Sequence, residues 1–117
     1  MTPDEFDAAA RALPAVTLDI QWGDRRVYKV GGRIFAITDG AARELSLKVS
    51  DIAFEALVES GRARPAPYLA RAGWVAFDDL AGLESAEVID WLATAHALVA
   101  ARLTRRARQE LGLVSPD

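Results

Sequence analysis

Two lysines stand where folding alone does not ask for them, Lys29 inside Val27-Tyr28-Lys29-Val30 and Lys48 inside Leu45-Ser46-Leu47-Lys48-Val49. A cation within an apolar β-rich run must leave the core and face water, where its ammonium can meet a phosphate or a carboxylate. Tyr68, in Ala66-Pro67-Tyr68, and Trp74, in Gly73-Trp74-Val75, supply broad rings of the kind that stack on a base or another planar ligand. Lys29, Lys48 and Trp74, with Tyr68 able to border them, therefore form a candidate nucleic-acid or anion-binding set. A structural explanation competes with it. Lysines on a solvated sheet face discourage edge-to-edge aggregation, and a neighbouring tryptophan covers apolar area.

Other chemistry is thin. His96 is the single histidine; it lies four residues after Leu92 and three before Val99, at the border of an apolar helical stripe, and has no identifiable acid–base partner. Packing is its expected role. The absence of cysteine excludes thiol nucleophiles, zinc clusters of the cysteine type and iron–sulfur ligation by this chain. Gly31-Gly32 joins two strands and lacks the lysine-bearing phosphate-loop pattern. Asp78-Asp79 and Glu84, Glu87 and Asp90 follow no calcium-loop spacing, and carboxylates early in a helix suit its dipole. No catalytic residue, metal or cofactor is expected, and the chain reads as a non-enzymatic protein. Arg102, Arg105, Arg106 and Arg108 could grip phosphates, but arginines late in a helix also complement the dipole, and that local explanation is preferred. Arg62, Arg64 and Arg71 make a second basic neighbourhood with no specifying spacing.

The elements that must position these residues are legible. Thr2-Pro3-Asp4-Glu5 opens a helix that ends before Pro14, with Phe6, Ala9, Ala10 and Leu13 on its buried face. From Val16 to Ser50, β-rich runs broken at Gly23-Asp24, Gly31-Gly32 and Asp39-Gly40 read as four antiparallel strands. The turn pairs Tyr28 with Phe35, which sends Tyr28, Val30, Phe35 and Ile37 to the core and Val27, Lys29, Ile34 and Ala36 to the open face. A second helix, capped by Ser50 or Asp51 and closed by Gly61, has Ile52, Phe54, Leu57 and Val58 as its apolar stripe. Residues 62–67 read as a loop because of Pro65 and Pro67, Trp74–Phe77 as a last strand, and 85–111 as one long helix. Trp22 and Trp91 are expected to pack in the core.

A chain of 117 residues, 51% hydrophobic and 26% charged, is expected to form one domain over 1–117. Its net charge of −3 has the wrong sign for a surface that attracts nucleic acid as a whole, so such binding needs a local patch. The acidic start is unlike a secretory signal, and no stretch approaches the roughly 20 apolar residues of a membrane span. A cytoplasmic protein without a membrane partner is expected.

The order and spacing of Trp22-Gly23, of Val27 to Ala36, of Leu47-Lys48-Val49, Ala66-Pro67-Tyr68 and Gly73-Trp74-Val75, read with Phe6 and Leu13-Pro14, resemble the MmcQ/YjbR family of small bacterial proteins. The resemblance implies a frataxin-like (CyaY-like) α/β fold: a twisted antiparallel sheet with helices on one face, in α-β4-α-β-α order. It also implies a double-wing DNA-binding module in which Lys29, Arg33 and Lys48 meet phosphates and Trp74 and Tyr68 stack on or wedge against nucleotide. Frataxins bind iron through an acidic first helix, whereas Asp4, Glu5 and Asp7 here have Arg11 among them, against a metal role. The alternative partner is a small anionic ligand or another protein, on a monomer or weak dimer.

Overall fold

The computed structural model describes residues 1–39 and 43–113, apart from the side chain of Trp22. The packing expected of that ring and the glycine of the Asp39-Gly40 turn lie outside the described residues. Helix α1 (Pro3–Arg11) starts with a capping box: the Thr2 hydroxyl accepts from the Glu5 amide at 3.1 Å and the Glu5 carboxylate accepts from the Thr2 amide at 3.0 Å. Those bonds to Thr2 hold the Glu5 carboxyl below its ordinary pKa. Strands β1 (Val16–Gln21), β2 (Arg25–Val30), β3 (Arg33–Thr38) and β4 (Leu45–Lys48) follow, then α2 (Asp51–Glu59), β5 (Arg64–Pro65), β6 (Trp74–Phe77), α3 (Ser85–Ala100) and α4 (Arg105–Glu110). The sheet is antiparallel throughout, in the order β1-β2-β3-β4-β6-β5.

The helices cover one face. Tyr28, Val30, Phe35, Leu47, Val75 and Phe77 meet Phe6 and Ala10 of α1 and Val88, Leu92, Ala95 and Val99 of α3 in a continuous core. Phe6 sets its edge on Tyr28 with centroids 5.5 Å apart, and Trp91 stacks on Phe77 at 4.8 Å. The Tyr28 hydroxyl donates to Asp7 at 2.8 Å, and burial together with that carboxylate raises the phenol's pKa. His96 is buried edge-on to Phe35, its Nε2 bonded to the Pro14 carbonyl at 2.7 Å, the packing role expected of it.

Four expectations change. The hairpin holds a bulge: Val30 faces Arg33 and Lys29 faces Ile34, but Tyr28 faces Ala36, so Phe35 is the extra residue. Ala36 consequently turns to the core and Ile37 to the open face, the reverse of the unbulged register. Arg64–Pro65 is a strand rather than loop; at the sheet's edge a proline leaves no ladder bond broken that the fold needs. Ile52 stands 83% exposed, outside the stripe that Ala53, Phe54, Leu57 and Val58 form. The long final helix breaks after Ala100, and Thr104 caps a separate α4 by accepting from the Ala107 amide at 3.0 Å.

Candidate nucleic-acid interface

The pairing of strands puts Lys29 and Lys48 on the uncovered face, two strands and therefore about 10 Å apart. Neither ammonium is idle. Lys29 Nζ pairs with Asp19 Oδ2 at 2.7 Å across β1 and β2. Lys48 Nζ donates to the carbonyl of Ala72, in the helical turn that precedes Gly73. Gly73 has φ +80°, so the turn favours glycine, and a side chain there would begin 2.9 Å from that ammonium and 3.3 Å from the Val49 carbonyl. Lys48 thus ties β4 to the turn leading into β6, a structural role for the Leu-Lys and Gly-Trp fragments.

Trp74 faces Lys48 across the ladder but is only 5% exposed, covered by Ala66 and Leu69. Its ring offers no open face to a base, which corrects the expectation of a stacking platform there. Tyr68 is fully exposed, on the loop over Ile37 and Ser46, apart from both lysines. The second basic neighbourhood is largely committed as well. Arg62 forms two parallel bonds to Glu87 at 3.0 Å and lies over the Trp91 ring at 5.5 Å; the pairing lowers the Glu87 pKa and raises that of Arg62. Arg64 bridges Asp78 at 2.9 Å and Glu44 at 3.2 Å, and the bond to Asp78 raises its pKa most.

The β2–β3 hairpin end is different. Gly31 and Gly32 both have positive φ, +58° and +79°, as the two-residue turn demands. Open space surrounds Gly32, but a Cβ on Gly31 would lie 2.6 Å from Leu103 and 3.2 Å from Leu111. The turn is therefore pressed against the α3–α4 corner and the end of α4. Leu103 is buried in the core and Ala107 packs against it, whereas Leu111 stays 37% exposed and meets the turn at its edge. Arg102, Arg105 and Arg106 are exposed and Arg108 half-buried around that packed face, beside the tip that carries exposed Arg33. Among the described residues only Arg106 of these five has an ion pair, with Glu110 at 3.3 Å. The fold thus gathers five arginines at one end of a molecule whose net charge is −3. Reading 85–111 as continuous helix hides this, since an unbroken helix would carry the arginines away from the hairpin. Thr104 three residues before Ala107, with a hydroxyl able to cap, was the available signal.

Among the described residues no group of three or more carboxylates or imidazoles could hold a metal ion, and no helix is long and apolar enough to cross a membrane. No curated protein matches the chain. A crystal structure of Deinococcus radiodurans protein DR2400, described as a DUF419 domain, is similar over 97% of this chain and 89% of its own, with 26% identity and a TM-score of 0.84. The family model for YjbR matches residues 11–98, from the end of α1 through most of α3 and short of the arginines in α4. The chain belongs to the YjbR family.

Proposed function

We propose that this protein is a non-enzymatic DNA-binding domain that grips the phosphate backbone with its hairpin end. The observation that carries the reading is the docking of Gly31 on Leu103 and Leu111, which sets Arg33 beside Arg102, Arg105, Arg106 and Arg108. Guanidiniums suit phosphate oxygens because their planar donors form paired bonds, and contacts of this kind position a protein without reading sequence. The β2–β3 hairpin acts as a wing, with Arg33 at its tip and the arginines of α4 beside it. Lys29, Lys48 and Trp74 support the scaffold in this reading, through Asp19, Ala72 and the cover of Ala66 and Leu69. Recognition is of backbone or shape, with steep salt dependence.

The test is chemical-shift mapping of the isotopically labelled protein with a short DNA duplex at low salt. Backbone amides of Gly31–Arg33 and Arg102–Arg108 shift together if the reading holds. Shifts confined to the open face, or none, contradict it and direct attention to a small anion or a protein partner.

A further inference from the structure

We propose that the groove bordered by Tyr68, on the open sheet face, binds a small planar organic anion, with Arg25 as the group that takes its charge. The inference is independent of the DNA reading, since Arg25 and the hairpin tip lie at opposite ends of β2. Tyr68 has φ +67°, a left-handed conformation that a bulky residue rarely adopts. Its ring is fully exposed and its hydroxyl makes no hydrogen bond among the described residues, so nothing within the fold accounts for an aromatic residue there. Glycine would serve the turn better. Strain of this kind collects where a side chain is held out for a ligand.

The groove that Tyr68 borders suits one class of occupant. The groove has a volume of about 240 Å³ and is lined by apolar Ile37, Pro67 and Leu69 together with Ser46 and Arg25. That is below the roughly 300–1,000 Å³ of pockets for drug-sized ligands, and fits a single ring. Arg25 forms no ion pair among the described residues, although Glu44 lines the same groove, because Glu44 is taken by Arg64 at 3.2 Å. Arg25 also borders a second cleft of about 370 Å³ with Gln21 and Asp39, and it is exposed, so its side chain is accessible to a carboxylate. A flat apolar body between Tyr68 and Ile37, ending in an anionic group at Arg25, satisfies both halves of the site.

Benzoate is the probe, titrated into the labelled full chain, with cyclohexanecarboxylate and inorganic phosphate as controls and Arg25→Gln and Tyr68→Gly as variants. Benzoate should shift the amides of Ile37, Ser46 and Leu69 saturably, and each variant should weaken it by about tenfold or more, the loss expected for a charged hydrogen bond or a stacked ring. Tyr68→Gly should also raise the melting temperature, because it relieves the backbone. The proposal is overturned if benzoate gives no saturable shift, if Arg25→Gln binds unchanged, if phosphate or cyclohexanecarboxylate reproduces the shifts at equal concentration, or if Tyr68→Gly melts lower.

Discussion

On the open sheet face Lys29 closes on Asp19 at 2.7 Å and Lys48 on the carbonyl of Ala72, whereas at the hairpin end Arg33, Arg102 and Arg105 meet no carboxylate among the described residues. Both regions put cations in water, yet the first pairs them within the molecule and the second leaves all but Arg106 without an ion pair among the described residues. The difference arises from where the chain supplies counter-groups. Strand β1 runs beside β2 and brings Asp19 level with Val27, within reach of Lys29, and the turn before β6 brings a carbonyl onto Lys48. At the hairpin end the turn meets the side chains of Leu103 and Leu111, and the one carboxylate that closes on an arginine there, Glu110, pairs with Arg106. A cation's environment, more than its place in an apolar run, decides whether it is available.

The contrast can be broken most forcefully at its hinge. Gly31→Ala would combine positive φ with a Cβ against Leu103, and should cost about 2–4 kcal/mol in thermal or denaturant unfolding. Gly32→Ala, with the same sign of φ and open space around it, should cost about 1–2 kcal/mol from backbone conformation alone. Equal losses at the two glycines would show that the hairpin does not rest on α4. Thr104→Ala removes the cap of α4 and should cost about 1 kcal/mol, with hydrogen exchange accelerated in residues 105–110 but unchanged in α3.

The open face should respond more weakly. Lys48→Met loses the bond to Ala72 and should lower stability by about 1 kcal/mol, loosening the turn before Trp74 as seen by fluorescence of the buried indole. Lys29→Ala removes a partly exposed ion pair and should change stability by less than about 1 kcal/mol, less still at high salt. A salt-insensitive loss several times larger would mean that Lys29 does more than pair with Asp19.

Much of this was legible in the residues. The capping box at Thr2, the glycine turn, the four strands and the buried stripe of α3 follow from local chemistry and spacing. The bulge was not, because strict alternation sends Phe35 and Ala36 to opposite faces, whereas both lie in the core, and only the pairing of Ala36 with Tyr28 and Leu47 reveals the extra residue. The break at Thr104 escaped because the apolar period from Val88 to Leu103 continues smoothly into Ala107, and only the threonine's hydroxyl marks the end. Candidate site residues were found by type, whereas their availability depends on contacts between distant segments: Asp19 with Lys29, Ala72 with Lys48, Ala66 over Trp74. Such contacts leave no mark on a sequence window.

The most direct test of the account sets the two regions against each other in one titration. Fluorescence anisotropy of a labelled duplex across a salt series would compare wild type with an Arg33→Ala/Arg105→Ala/Arg106→Ala/Arg108→Ala variant and with a Lys29→Ala/Lys48→Ala variant. The account predicts that the arginine variant loses about one unit of the log–log salt slope for each phosphate contact removed, while the lysine variant keeps the wild-type slope. A slope that falls in the lysine variant and persists in the arginine variant would contradict it, and would return the binding surface to the open face of the sheet.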